Sequence, residues 1–350
     1  MNWLDYAHKN LFKVKHYMRG IHHWVRPDGC NQRDIQRLER RAGALSDDEI
    51  DQIRVRASYY NQLDRPVTAT NSGRPDSVPD RLARFPYGQS WSYFLDFKRS
   101  LRLYGEELVV PYQFGDVTTV PDQPTIVKSR PIHIDHRHSI LMKLNQVRHY
   151  YWPKDRLSFL DKKPMLVWRG KCNHEHRLAF LRRYYGHSLC DVGDVHQRSK
   201  GQPWYKARMS IPEQLRYRFI LSLEGKDVAT NLKWIMASNS LCVMPAPRYE
   251  TWFMEGTLQP HVHYVPIADD FSDLEDQLDY YTRHPEAAQT IIQNAHAHVA
   301  RFQDPDIEDL IALQVLMRYA HLSGQIPLAD SVTQGSDGLV PLMMNMQPHR

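Results

Sequence analysis

Tyr217–Tyr264 reads YRFILSLEGKDVATNLKWIMASNSLCVMPAPRYETWFMEGTLQPHVHY, two short apolar runs on either side of a helical pattern. Phe219 to Leu223 is a short apolar run that stops at Glu224 and Gly225, as a buried parallel strand stops at its loop. Asp227 is placed to cap a following helix, in which Val228, Leu232, Ile235 and Met236 recur at helical spacing and give one apolar face to lay on a sheet. A second apolar run, Leu241 to Met244, ends at Pro245. This is a strand, turn, helix, strand unit, whose loops bind ligands at the carboxyl ends of parallel strands, and Glu224 and Gly225 sit at that edge.

The same alternation begins upstream, at Lys163. Pro164 to Trp168 reads as a strand, followed by Arg169, Gly170 and Lys171, a helix over Glu175 to Tyr185 and a strand over Leu189 to Val192. Such regular alternation predicts a parallel sheet covered on both faces. Strand, then R-G-K, then helix puts cations and helix-start N–H groups where a diphosphate can sit, although the full phosphate loop of nucleotide triphosphatases is missing. Ser210 with Glu213 and Ser272 with Glu275 spell capping boxes. Pro285 opens a helix carrying Ile291, Ile292, Ala295, Val299 and Phe302 on one face, and a last helix is predicted over Asp306 to Leu322. Asp304-Pro305-Asp306 resembles a manganese-binding D-x-D, but proline and acids ahead of a helix read as its cap. The tail from residue 326 to 350 has no periodicity and is expected to be disordered.

Upstream, Leu4, Ala7, Leu11, Val14, Met18, Ile21 and Val25 form one helical stripe, with Lys9, Lys13, Lys15 and Arg19 on the other faces. Such a helix either lies on an anionic membrane surface or packs on the protein's own core. Ser46 and Glu49 spell another capping box, opening a helix to about Asn61, and Arg65 to Gln89 reads as a long loop. In Glu107 to Arg130 a strand at Leu108 to Val110 runs into a turn with Gly115 and Asp116; that carboxylate either faces a cleft or bonds turn backbone. Lys128, Ser129 and Arg130 after a second short strand read as a solvated edge. The run from Ile140 to Tyr151 mixes apolar and basic residues without a readable period.

With 350 residues, 42% hydrophobic, the chain can bury roughly two cores, and no apolar run approaches the ~20 residues that span a bilayer. A net charge of +5, with 45 basic residues against 40 acidic, gives no nucleic-acid footprint. Cys30, Cys172, Cys190 and Cys242 are widely spaced and the N-terminus lacks a signal peptide's apolar segment, so reduced thiols in a cytoplasmic protein are expected. None of the histidine sets His133/His136/His138, His174/His176 and His261/His263 has the spacing of a metal site, and none is assigned.

The stretches LVWRGKCNHEHRLAF, YRFILSLEGKDVATNLKWIMASNS, ETWFMEGTLQPHVHYVPI and DDFSDLEDQLDYY, in this order, resemble glycosyltransferase family 90, across roughly residues 107 to 302 and closest to its bacterial lipopolysaccharide branch. The resemblance implies a GT-B fold: α/β, two Rossmann-like domains facing across a cleft, here with extra N-terminal helices. On the boundary read at Lys163, residues 1–162 are the acceptor-side domain and 163–325 the nucleotide-sugar domain. It further implies an inverting transferase that moves a hexose, glucose or galactose, from a UDP-sugar to a lipopolysaccharide core or related surface glycan. No metal or other cofactor would be needed. One base takes the acceptor proton and cations hold the charge that builds on the diphosphate. Asp116 resembles the family's catalytic aspartate, and Arg169, Gly170 and Arg177 its R-G-x motif and the helix after it, the diphosphate candidates. Lys233 resembles a basic position of the central helix, whereas Asn231 stands where eukaryotic members tend to have arginine. Glu224 and Gly225 are donor-site candidates by loop position, and Glu255 by analogy lies on the sugar side. Lys233 also reads as a surface lysine, and Glu250 and Glu255 as ordinary surface acids. The implied partners are a UDP-sugar, a glycolipid or oligosaccharide acceptor and the inner face of the bacterial inner membrane, with no nucleic acid. A glycan-binding scaffold of the same fold without turnover is the alternative.

Overall fold

The computed structural model describes residues 3–25, 32–67, 91–104 and 108–325, with the side chains of 10–22 in the first helix. Most of the long loop read between Arg65 and Gln89, and the tail beyond 325, lie outside the described residues. The chain is mixed α/β and forms two compact units, a central one of residues 148–302 with 1–12, and a flanking one of 13–147 with 303–350.

In the central unit, β5 (Lys163–Gly170), β6 (Cys190–Asp194), β7 (Tyr217–Leu221), β8 (Leu241–Met244) and β10 (Val265–Pro266) form one parallel sheet in the order β10-β8-β7-β5-β6. Its register pairs Leu166 with Cys190 on one side and with Phe219 on the other. Continuous apolar strands are what a sheet covered on both faces requires, and Leu166, Val167, Ile220, Leu221, Leu241 and Val243 have no exposed surface. The covering helices are α6 (Glu175–Tyr184), α8 (Leu232–Met236), α9 (Leu274–Arg283) and α10 (Pro285–Ala300), with α7 (Ile211–Gln214) and β9 (Tyr249–Thr251) in the connections. Phe180, Tyr184 and Phe271 close one end of the core, where the Tyr184 hydroxyl donates to the Phe271 carbonyl.

Two sequence expectations change here. The helix read from Asp227 starts only at Leu232, because the Asp227 carbonyl accepts the Gly225 N–H in a turn; and α8 is buried at all five positions rather than along one face. The Ser272 box does not form either: Asp273 takes the N-cap position of α9 and spends its carboxylate on the Ala268 N–H. The Ser210 box does form, reciprocally, as does that of Ser46.

In the flanking unit, α2 (Gln32–Ala42), α3 (Asp47–Tyr60) and α4 (Trp91–Tyr104) surround α11 (Pro305–Leu322), a helix buried along most of its length. Asp304 caps α11 by accepting from Asp306 and Ile307 N–H, as the sequence predicts. Two buried acids on α11 find cations: Glu308 pairs with Arg56 and Lys143, Asp309 with Arg37 and Arg99. The strands β1 (Tyr112–Gln113), β2 (Thr125–Val127) and β4 (Ser139–Leu141) make a small parallel sheet, with β3 (Ser129–Pro131) between β2 and β4 in sequence. The first strand thus begins later than the Leu108 to Val110 expected. The run from Ile140, unreadable from sequence, enters β4 and then α5 (Gln146–His149).

The N-terminal helix α1 (Trp3–Val25) forms as its stripe predicts. Among its described side chains Leu11, Val14, Met18 and Ile21 are 43 to 64% exposed, so this line does not pack on the core. No described helix is long and apolar enough to cross a membrane.

Candidate active site

The carboxyl ends of β5, β7 and β8 release three loops, and the last two border a recess lined by His176, Glu224, Val228, Leu232, Pro245 and Arg248. The backbone around it is held by one guanidinium. Arg177, in the first turn of α6, donates from Nε to the Glu224 carbonyl (2.8 Å), from Nη2 to the Leu223 carbonyl (2.7 Å) and from Nη1 to the Lys171 carbonyl (3.1 Å), and lies over the Trp168 ring. Arginine's planar fork suits such a three-point clamp, which joins the loop after β5 to the loop after β7. Burial lowers the guanidinium's pKa from its usual value. His176 adds a contact of its Nε2 with the Glu224 carbonyl at 2.8 Å.

The Glu224 side chain turns to the loop after β8, accepting from Arg248 N–H (3.0 Å), Tyr249 N–H (3.2 Å) and Arg248 Nε (3.1 Å). Burial pushes the Glu224 carboxyl up from the ordinary range, against the opposing pull of Arg248. Gly225 sits tightly under the clamp: a Cβ there would lie 3.2 Å from Arg177 Nη2.

Glu255 also borders the recess and is buried, as is Lys233. Their contact is direct, Lys233 Nζ to Glu255 Oε1 at 2.6 Å, with the ammonium over the rings of Phe253 and Tyr150. Thr251 donates to the same carboxylate from its N–H (2.6 Å) and from its hydroxyl (2.9 Å). The surface readings of Lys233, Glu250 and Glu255 therefore fail, since all three are at most 1% exposed.

Arg169 goes elsewhere. Its guanidinium bonds the carbonyls of Trp168, Asp191 and Ala207 and the Asp191 carboxylate at 2.7 Å. Burial opposes ionisation of Asp191, but hydrogen bonds from Lys206, Tyr217 and Arg169 hold it well below the usual carboxylate range. Arg169 is thus not among the residues bordering the recess, and it braces β5 against β6. Gly170 is required by its neighbour, since a Cβ there would meet the Trp168 ring at 2.2 Å. Beyond it, the buried Asp194 accepts from the N–H groups of Cys172 (3.2 Å) and His196 (2.7 Å), fixing the loop after β5. Asp194 and Arg248 carry no signal in the sequence beyond their places near strand ends, and His176 stands out there only as one of a histidine pair without metal-site spacing.

Asp116 belongs to the flanking unit. Gly115, at φ +110°, turns the chain just after β1 in a conformation that side chains disfavour. The following Asp116 carboxylate is 41% exposed and takes a 2.6 Å hydrogen bond from Lys128 Nζ, which follows β2. Both residues therefore stand at the carboxyl edge of two adjacent parallel strands. Asp116 does more than bond turn backbone, and the solvated-edge reading of residues 128–130 is overturned: all three are buried. Arg130 donates to the carbonyls of Tyr59, Tyr60 and Ser139.

Among the described residues no group of three or more His, Cys, Asp or Glu side chains is arranged to hold a metal ion. His174 and His176 stack, with ring centroids 5.8 Å apart.

The sequence model of glycosyl transferase family 90 matches residues 140–335. The O-glucosyltransferase LpsA of Dichelobacter nodosus is 46% identical over 320 residues, 90% of this chain and 98% of that protein. The protein O-glucosyltransferase 3 of Homo sapiens is 25% identical over 176 residues, 49% of this chain and 34% of that protein. With a family match over more than half its length and a near full-length relative, the chain belongs to glycosyl transferase family 90 and is a glycosyltransferase.

Proposed function

We propose that this glycosyltransferase moves a hexose, glucose or galactose, from a UDP-sugar to a lipopolysaccharide core or related surface-glycan acceptor, with inversion and without a metal. The reading takes the two units as the halves of a GT-B enzyme working at the inner face of the inner membrane. The observation that carries it is the recess at the carboxyl ends of the central parallel strands, built around the Arg177 clamp, in a chain similar over nearly its full length to an O-glucosyltransferase. In this reading the Glu224–Gly225 loop approaches the nucleotide sugar. Arg177 fixes that loop and lends it positive charge, with Arg248 exposed beside it. Glu255, held by Lys233, faces the hexose. Arg169 and Gly170 shape the strand end from which the diphosphate side is approached. Asp116 takes the proton of the acceptor hydroxyl as it attacks the anomeric carbon and UDP leaves, and Lys128 orients it.

The test is UDP release by purified protein from a panel of UDP-sugars, with and without EDTA, since slow donor hydrolysis needs no acceptor. Release from one hexose donor, unaffected by EDTA, is expected. Loss of release in EDTA would overturn the metal-free part of the reading. Failure of every donor together with no calorimetric binding of UDP would point instead to a glycan-binding scaffold.

A further inference from the structure

Helix α1 packs by one side and offers the opposite one. Phe12, His16 and Gly20, four residues apart, are its half-buried line. Gly20 marks a close crossing with α4, because a Cβ there would sit 2.8 Å from Leu95 Cδ1. His16 Nε2 lies 3.4 Å from Asp96 Oδ1 on the same helix α4, a close approach outside hydrogen-bond geometry. At about 100° per residue, the line of Leu11, Val14, Met18 and Ile21 points about 180° away from the packed line. These four are 50%, 57%, 64% and 43% exposed, the largest row of exposed aliphatic side chains on any one described element. A soluble face would hold polar residues at those positions.

The charge around the stripe selects what covers it. Lys15 and Arg19 flank it on one side and Lys13 on the other, and all three are exposed. Asp5 is the only acid in the 23 residues of the helix. Long cationic stems can lie along an apolar layer while their heads reach a negative surface. A second copy of the same helix would set these cations against one another, whereas an anionic lipid surface accepts both the stripe and its flanks.

We propose that α1 is a lipid-docking helix, seating Leu11, Val14, Met18 and Ile21 at the headgroup boundary of an anionic bilayer while Lys13, Lys15 and Arg19 contact its phosphates. The inference rests on this helix alone and holds whether or not the donor assignment does. It names the surface by which a transferase would reach an acceptor embedded in lipid.

Flotation of the full-length protein with vesicles of phosphatidylethanolamine and phosphatidylglycerol, against vesicles of phosphatidylcholine, tests it. Binding to the anionic vesicles alone, weakened by salt, is expected. The Val14→Glu/Met18→Glu double variant should lose it, and Lys15→Ala and Arg19→Ala should each lower the partition coefficient roughly fivefold. Both sites are exposed, so thermal melts and UDP-sugar hydrolysis in solution should not change. Equal partition to both vesicle types, or retention of binding by Val14→Glu/Met18→Glu, would overturn the proposal. So would a dimer in light scattering that the double variant dissociates, since the stripe would then be covered by a second copy.

Discussion

Lys128 Nζ sits 2.6 Å from Asp116 Oδ1, and the pair is unequal in exposure: the lysine side chain is 3% exposed and the aspartate 41%. A buried ammonium thus holds an accessible carboxylate from behind. Tyr93 completes the mounting, its ring 6.0 Å from the ammonium and 5.5 Å from that of Phe114. In the proposed reading the base must be aimed at the acceptor before it can take a proton, and the contact with Lys128 fixes the carboxylate's direction.

Asp116→Asn should therefore lower transfer by about a hundred- to ten-thousandfold and leave UDP binding nearly intact. Lys128→Met should act less severely. Without the ammonium the carboxylate loses the contact that aims it, so kcat should fall by up to about a hundredfold while UDP binding stays intact. An unchanged kcat in Lys128→Met would remove the lysine from the mechanism. Full activity in Asp116→Asn would remove the aspartate.

Much of the central unit was legible because its information is local. The run Leu241 to Met244 that stops at Pro245 is β8 itself, β5 and β7 end within two residues of where their apolar runs stop, and Ser210 with Glu213 forms the box it spells. What could not be read are the partners that arrive from far along the chain. Arg130 looks like part of a basic surface cluster until Tyr59 and Tyr60, some seventy residues earlier, supply their carbonyls. Arg177 and Arg169 look equivalent as phosphate cations, yet the first clamps two loops at the recess and the second is consumed by Asp191. Ser272 and Glu275 spell a cap that does not form: Asp273 between them takes the N-cap position, and its carboxylate accepts the Ala268 N–H.

Arg177 is a clamp first and a charge second, and the two contributions separate in Arg177→Lys. Lysine keeps the charge, but its single nitrogen cannot span the carbonyls of Lys171, Leu223 and Glu224. The donor KM should rise about tenfold, as expected when one to two hydrogen bonds to a charged group are lost. Steady-state kinetics with the UDP-sugar identified by the hydrolysis panel would check this. A wild-type KM in Arg177→Lys would mean that charge alone suffices.

Lys233 and Glu255 share one fully desolvated contact, so neither can be removed alone without stranding the other. Lys233→Met should cost about 3–5 kcal/mol, most of it from leaving the Glu255 carboxylate buried against Thr251 without its counter-charge. The double variant Lys233→Met/Glu255→Met should be less destabilised than Lys233→Met, because it leaves no buried charge without its counter-charge and strands only the neutral Thr251 donors. Urea unfolding of the two single variants and the double closes the cycle. A double variant as unstable as the sum of its parts would show that the pair is not coupled.

The approach of α1 to α4 joins two groups that burial shifts in opposite directions. Burial pushes the Asp96 carboxyl up to about 7 from 3.8, against the pull of Gln146 N–H, Arg99 and Lys143. Burial, with Arg99 and Arg19 nearby, lowers His16 from 6.5 to about 4. From about pH 4 to about 7 folded Asp96 keeps a proton that the unfolded chain has released, so its contribution to stability is lost as pH rises. Between about pH 4 and 6.5 the unfolded chain holds a proton on His16 that the folded protein excludes, so this contribution is lost as pH falls. The two oppose each other and flatten the wild-type profile in that window. Asp96→Asn should leave the histidine's dependence, with the urea midpoint rising from pH 4 to 6.5. His16→Gln should leave the carboxyl's, with the midpoint falling from pH 4 to 7. Each single variant should swing by on the order of a few kcal/mol across the window. Slopes of the same sign in both variants would mean that the pair does not set the balance.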